Sequence, residues 1–508
     1  MDNRVSEPGT PLPSGPPAPR RSRRLLRRVL ITALSGGVVA GAVLTLWPGI
    51  GPGAASPPAP GPRAHRAQLR APAQAAHRAQ LRAPAQAALA LTAVTSGMPA
   101  TLPALTALIG QQEQRVRARP QDARAWAVLG TAYVERGRAT AGTADFPRAE
   151  KALETSLQVV DEEQNVQALD GLTALSLARR DFTEAKRYAE HAQELAPTRW
   201  SSYSQLIEAD TGLGDDDAVG DSFDKLMALK PGPAERPAVM ARAAAVYRNR
   251  GWREDAVAQL TDAAAAARTP AEQAAYLTQL GQLAFERGDL QDALRHYDAA
   301  LRQDADQPAA PAGRARVLAA LGRSTQAVTA YRTALARRPD PRDALDLGEL
   351  YESLGMVKQA RASYDQVREL ARRETSNGVD DELVLGRYEA DHGDAQQAVE
   401  RLRGEYDRQP GTEVADALGW ALHRVGEDDE ALEYATTATD GTKGGGVRSA
   451  LYAYHRGAIE AALELDGPAR RSLQKALQIS PAFSPLWARE AKSALAALGN
   501  PPDVAVPG

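Results

Sequence analysis

The 508-residue sequence predicts an all-α solenoid of about ten helical hairpins, and three spacings carry that prediction. Small residues at Gly130, Ala244, Gly281, Ala315, Gly348, Gly386 and Gly419 are each followed seven positions later by a glycine, at 137, 251, 288, 322, 355, 393 and 426. An alanine stands twelve positions after most of the same residues, at 256, 293, 327, 360, 398 and 431, and again at 469 after Gly457. Successive alanines in that series lie 37, 34, 33, 38, 33 and 38 residues apart, a period that fits one pair of short helices. Composition agrees: 43% of residues are hydrophobic but only 5% aromatic, so the core must be built of small aliphatic side chains, as between close helices.

The same composition narrows the chemistry. Cysteine is absent, which removes disulfides, thiolate nucleophiles, zinc–thiolate sites and iron–sulfur clusters. The seven histidines, at 65, 77, 191, 296, 392, 423 and 455, never fall within five residues of one another, so no local metal-binding pair exists. The net charge of −3 hides an asymmetry: residues 1–120 hold fifteen Arg against three acids, leaving 46 basic and 61 acidic residues behind them. A long body at −15 is a poor match to a polyphosphate backbone, so nucleic acid is not expected as a partner.

Residues 1–28 read as a disordered, basic cytoplasmic tail, because a Pro-, Gly- and Ser-rich start cannot bury enough surface to fold. Arg20, Arg21, Arg23, Arg24, Arg27 and Arg28 then precede an uncharged apolar run, Val29–Trp47. As a helix those nineteen residues span about 28 Å, close to the hydrocarbon thickness of a bilayer, so 29–47 is expected to be a transmembrane helix or signal anchor. With no cation after it until Arg63, the positive-inside rule puts the N-terminus in the cytoplasm and the body outside, on a single-pass cell-membrane protein. The competing reading is a cleaved export signal, with small residues at Gly53, Ala54 and Ala55 and a secreted product. Residues 48–101 read as a Pro- and Ala-rich linker in which the twelve residues 64–75 recur unchanged as 76–87, with Pro72 and Pro84 interrupting any long helix. The solenoid is placed at 102–498 and a disordered tail at 499–508.

Each recurring residue in the body has a mechanical role. Glycine at plus seven can adopt the left-handed conformation that ends helix A and turns the chain into helix B. A small residue in mid helix A and the alanine of helix B let two helices cross closely, and Pro339, Pro410 and Pro481 stop helix B. Units are expected to begin near 123, 166, 200, 237, 274, 308, 341, 379, 412 and 450. Two are degenerate: one has Thr173 and Ala185 without a turn glycine, and the next has Ile207, Gly214 and Val219. Residues 103–119 read as a lone capping helix and 484–498 as a closing helix. Extra length at 138–147, 374–380 and 439–447 reads as tolerated surface insertion, with binding loops as the alternative.

This pattern of small residue, turn glycine, alanine and terminal proline resembles the tetratricopeptide repeat family over about residues 103–498. The resemblance implies a right-handed superhelix that binds protein or peptide partners on the concave face made by the A helices, with no cofactor and no small-molecule substrate. Carried onto this chain, the groove-facing positions are Arg248, Asn249, Gln282, Arg316, Arg387, Trp420, His423 and Arg424. The last three form the most suggestive cluster, since an exposed Trp beside Arg and His could grip an apolar or acidic peptide. Trp126, Leu129, Gly130 and Tyr133 after Pro120 are similar to the periplasmic repeat domains of cytochrome c maturation factors.

Two other motifs invite chemistry and read more simply as structure. Gly441–Gly446 lacks the order of a phosphate loop, with no strand before it. Asp215, Asp216 and Asp217 suit a helix N-terminus better than a calcium loop. The expectation is a non-enzymatic, membrane-tethered interaction scaffold or adaptor. The alternative is an envelope biogenesis component, serving cell-wall or polysaccharide assembly or chaperoning an apoprotein.

Overall fold

The computed structural model describes residues 83–441 and 446–499, and every described residue belongs to the second of two units, 69–508. The proposed tail, the 29–47 segment and the first copy of the duplicated twelve-mer lie outside the described residues. No described helix is long and apolar enough to cross a membrane.

Small side chains at regular intervals produce paired helices throughout. A first helix, α1, runs through 83–95, and α2 follows as Leu102–Ala118. Ten hairpins come next: α3 (Ala123–Thr140) with α4 (Phe146–Val159), α5 (Val166–Arg179) with α6 (Phe182–Leu195), α7 (Trp200–Leu213) with α8 (Asp216–Ala228), and α9 (Arg236–Asn249) with α10 (Arg253–Ala266). They continue as α11 (Pro270–Glu286) with α12 (Leu290–Gln303), α13 (Ala310–Ala320) with α14 (Ser324–Arg337), and α15 (Pro341–Ser353) with α16 (Val357–Thr375). The last three are α17 (Glu382–His392) with α18 (Ala395–Arg408), α19 (Thr412–Arg424) with α20 (Asp428–Thr439), and α21 (Ala450–Ala462) with α22 (Asp466–Ile479), closed by α23 (Trp487–Ala497). The observed starts fall within four residues of the expected ones, and the two degenerate units are complete hairpins. Order begins earlier than expected, because α1 occupies part of the stretch read as linker and gives α2 a predecessor.

The odd-numbered helices form an inner layer in which successive members touch, such as α3 with α5, α5 with α7, α17 with α19 and α19 with α21. The even-numbered helices lie outside. Between the layers the recurring alanines at 256, 293, 327, 360, 398, 431 and 469 are at most 3% exposed, so their lack of bulk sets the approach distance. The mid-helix-A residue faces a large side chain sixteen residues on. A Cβ added to Gly386 would stand 2.5 Å from Leu402, one on Gly281 would stand 3.0 Å from Tyr297, and one on Gly348 would come under 3.0 Å from the ring of Tyr364. In the first hairpin the partner of Gly130 is Leu153, twenty-three residues on, which is the same contact after a seven-residue insertion. Gly348→Val is therefore expected to destabilise by about 2–3 kcal/mol through overpacking, read as a lowered urea midpoint. An unchanged midpoint would remove this account of the small-residue pattern.

The turn positions differ in detail from the expected rule. Gly251, Gly288, Gly322, Gly355 and Gly426 have φ between 70° and 84° and close helix A as expected. Gly137 does not: α3 runs on to Thr140, Ala141 takes the left-handed conformation at φ 49°, and Gly137 makes room for Phe146, whose ring would lie 2.6 Å from an added Cβ. Gly393 caps α17 at φ −131°. Two hairpins have no glycine at the turn, and there Arg180 adopts φ 62° and Glu464 φ 58°.

Candidate functional site

Two features of the inner layer bear on function: the space it encloses, and the way the solenoid returns on itself. Residues about 195 apart meet repeatedly. Arg180, in the turn between α5 and α6, donates to the carbonyl of Asp380 at 2.6 Å and to the carboxylate of Asp381, and lies 3.5 Å from Glu374. The amide of Asp380 returns a bond of 2.8 Å to the carbonyl of Arg179, and Asn377 donates to Thr143 at 3.2 Å. The Phe182 amide donates to Gln409 at 2.8 Å. One hairpin further along, a Cβ on Gly214 would lie 2.5 Å from the carbonyl oxygen of Pro410. Arg253 donates to the carbonyl of Arg448 while Gly251 abuts Gly446, and Gly288 abuts Ile479 and Ser480. The A–B turns of the second to fifth hairpins thus each meet the link before α17, α19, α21 and α23 in order. One turn of the solenoid takes about six hairpins, and successive turns are joined by a seam.

The seam corrects the reading of the longer connections as tolerated insertions. Residues 374–381 and 446–448 are the links that reach the earlier turn, and 141–145 forms a turn stabilised by Asp145, which accepts two bonds of 2.7 Å from Arg136. A left-handed Arg180 costs roughly 1–2 kcal/mol of backbone strain, and the ion pairs it makes in the seam hold it there.

The seam concentrates charge away from solvent. The Asp381 side chain is fully buried, and Glu374 is 7% exposed. Burial, followed by the charge of Asp381, pushes the Glu374 carboxyl up to about 7. This folded value lies above the ordinary carboxylate range, so the closed form holds that proton more tightly than an open chain. Its contribution is complete below about pH 4 and is lost as pH rises toward and through 7. Seam amides are expected to exchange faster at pH 8 than at pH 6 after correction for intrinsic rates; a seam equally protected at both values would contradict this.

Two cavities open to solvent lie along the inner layer. The first, about 810 Å³, is walled by α3, α5, α7, α9 and α11, and residues 94–100 before α2 also line it. The second, about 460 Å³, is walled by α11, α13, α15, α17, α19, α21 and the start of α23. Arg342 lines both. Its side chain keeps 55% of its surface, its contact with Asp340 is long at 3.9 Å, and the Arg180 guanidinium, ahead of burial, depresses its pKa.

Five of the eight sequence-derived candidates, Arg248, Gln282, Arg316, Arg387 and Trp420, line the second cavity together. The cations are paired, usually with a carboxylate on the next inner helix: Arg248 with Glu286 at 2.6 Å, Arg316 with Asp346 at 2.7 Å and Arg387 with Glu413 at 3.8 Å. Gln282 donates to Glu286 at 2.8 Å and accepts from the Tyr297 hydroxyl at 3.2 Å. The other three lie elsewhere. Asn249 accepts from Arg248 at 3.1 Å, and its carbonyl abuts Gly446 in the seam. His423 bonds Asp428 at 2.5 Å, and Arg424 reaches the Ala390 carbonyl at 3.3 Å.

Trp420 is not the exposed aromatic expected. Its side chain is buried, stacks on His455 at 4.2 Å, meets Trp487 edge-on at 5.7 Å and donates to Asp391 at 3.0 Å. Sequence position placed it toward the groove, but the ring is long enough to reach the next inner helix and the closing helix behind it. The acidic run behaves as read: Asp215 caps α8 by accepting from the Ala218 amide at 3.0 Å, with Asp216 and Asp217 in the first turn.

The repeat pattern and paired helices point to one family. Residues 284–344, from the end of α11 to the start of α15, match the tetratricopeptide repeat model. This stretch carries tetratricopeptide repeats. No curated protein sequence matches the chain. Among solved structures, the chain is similar to the human IFIT1 dimer with PPP-AAAA, at 16% identity over 65% of this chain and 77% of that one, with a TM-score of 0.43. It is also similar to a tetratricopeptide repeat protein from Parabacteroides merdae, at 19% identity over 52% and 100% of the two chains and a TM-score of 0.31. A third likeness is to Pseudomonas aeruginosa pilF, at 18% identity over 41% and 93%, with a TM-score of 0.33. Outside 284–344, the hairpin arrangement of the repeats rests on the helices and spacings described above.

Proposed function

We propose that this chain is a non-enzymatic interaction scaffold whose inner surface holds a protein or peptide segment. The observation that supports this most is the pair of cavities, about 810 and 460 Å³, lined by inner helices together with the links between them and sharing Arg342. Their walls carry alternating Arg and carboxylate groups with few exposed aromatics, which suits a polar, charge-patterned segment that exchanges partners with the existing ion pairs. Arg342 is the cation best placed to meet a carboxylate of the occupant, because its own acidic contact is long. We further propose that Val29–Trp47 tethers the scaffold to the cell membrane with the repeats outside the cytoplasm, on the strength of its length and the six preceding Arg.

A photocrosslinking residue introduced at Gln279 or Arg387, on the inner wall, is expected to capture a discrete partner in intact cells. The same residue at Glu400, exposed on α18, is expected to capture none. Equal capture from both surfaces, or none from the inner wall, would end the proposal. Protease protection of the repeats in spheroplasts, compared with lysed cells, tests the tether separately.

A further inference from the structure

Part of the seam gathers more positive charge than its own carboxylates neutralise. It lies where the A–B turns of the fourth and fifth hairpins meet the links before α21 and α23. Arg253, the first residue of α10, is buried and donates to the carbonyls of Glu286, at 3.4 Å, and of Arg448. The Arg448 side chain runs over the same turn, so that a Cβ on Gly251 would stand 3.3 Å from its Cγ. Arg287 precedes Gly288, whose added Cβ would lie 3.5 Å from Ser480 Oγ, and Lys475 stands five residues before that serine on α22. Burial and then Arg448 lower the pKa of both Arg253 and Lys475, so these charges stand within one another's field. The acids nearby are committed elsewhere: Glu286 to Arg248 at 2.6 Å, Asp289 to Arg287 at 3.1 Å and Glu460 to Arg456 at 2.8 Å. Glu254 is exposed, and neither it nor Arg253, Arg448 or Lys475 enters an ion pair among the described residues. Ser480 is 2% exposed and lines the second cavity, and its hydroxyl has no hydrogen-bond partner among the described residues. At the same turn Trp252 gives α10 no side-chain cap, which leaves the first amides of that helix as donors too.

We propose that this junction binds a multiply charged oxyanion, a phosphate or phosphate ester, held by Arg253, Arg448, Lys475 and the Ser480 hydroxyl, and that the anion fastens one turn of the solenoid to the next. A single carboxylate would answer only one of the three surplus cations. A phosphate group brings about two negative charges and several acceptor oxygens to one point, which matches three cations and a free hydroxyl donor. Arg253 belongs to the fourth hairpin, whereas Arg448 and Lys475 lie in the link before the tenth and in its outer helix, so the anion joins parts of the chain about 195 residues or more apart.

Calorimetric titration and thermal unfolding of the full-length chain with inorganic phosphate, against chloride at the same ionic strength, test the site. Phosphate is expected to bind with saturation and to raise the unfolding midpoint by mass action. Lys475→Gln, at an exposed position, is expected to weaken binding about tenfold through loss of one charge-assisted hydrogen bond. In chloride alone the same variant is expected to unfold later than the parent chain, because it relieves repulsion from Arg448 and Arg456; a side chain that merely packs would not show this reversal. Ser480→Ala is expected to weaken phosphate binding with helical circular dichroism unchanged, and Lys358→Gln, exposed on α16, to leave binding as it is. With the chain in phosphatidylcholine vesicles, added phosphatidate that competes with free phosphate assigns a lipid headgroup, and no competition assigns a soluble anion. Phosphate stabilisation equal in the parent, Lys475→Gln and Lys358→Gln proteins would be the general effect of an excluded salt and would overturn the site, as would titration without saturable binding.

Discussion

Replacing Trp420 with alanine is expected to cost about 3–5 kcal/mol in the last three hairpins and the closing helix and to loosen them before the rest of the molecule. The indole fills the junction of α19, α21 and α23, stacked on His455 at 4.2 Å and edge-on to Trp487 at 5.7 Å. Its removal leaves a cavity and deprives Asp391 of a hydrogen bond in a site where burial already raises that carboxyl's pKa. A surface aromatic used only for docking would cost no more than about 0.5 kcal/mol. Because long repeat arrays need not unfold in one step, the measurement is hydrogen exchange resolved by segment. Protection lost across α17–α23 with α3–α9 unchanged is the expected pattern; unaltered protection would return Trp420 to the surface.

The second large effect concerns the seam. Arg180→Gly gives the turn the residue its φ of 62° favours, which recovers roughly 1–2 kcal/mol of strain. It also leaves the buried Asp381 and Glu374 without their principal cation, and breaking one side of a buried pair costs about 3–5 kcal/mol. The loss exceeds the gain, so a net penalty of about 2–3 kcal/mol is expected, localised to 374–381 and 141–145. Small-angle scattering is expected to show an extended particle with helical content intact. A more stable, equally compact Arg180→Gly protein would show that the arginine is tolerated at this turn without contributing to closure.

How far these features were legible depends on the distance over which each is encoded. Helix starts and hairpin pairing are written in short-range chemistry: Ala256, Ala293 and Ala327 sit where bulk would push two helices apart, and the glycine at 251 or 288 sits where only a left-handed residue turns the chain. The seam is different. It arises from a small rotation at every hairpin, summed over six of them, and no local spacing reports that sum. A trace was present. The two alanine spacings that end at Ala398 and Ala469 are both 38, and the extra residues fall in links that reach the earlier turn. For the candidate site, periodicity gave the direction of Arg248, Arg316 and Arg387 correctly but not the carboxylates facing them. Those acids belong to neighbouring inner helices, and only the packing of hairpin on hairpin brings them within reach.

The joined turns also change how such a molecule would bear load. A solenoid whose coils are free lengthens smoothly when its ends are drawn apart, with elasticity spread over every hairpin interface. Here Arg180, Phe182, Gly214, Gly251, Arg253 and Gly288 fasten one coil to the next. Tension along the axis must first part those fastenings, so the body resists as a stiff barrel up to a yield point and only then extends as a compliant coil. A rod of this kind, if its front end is anchored, transmits small pulls faithfully and gives way in steps under large ones.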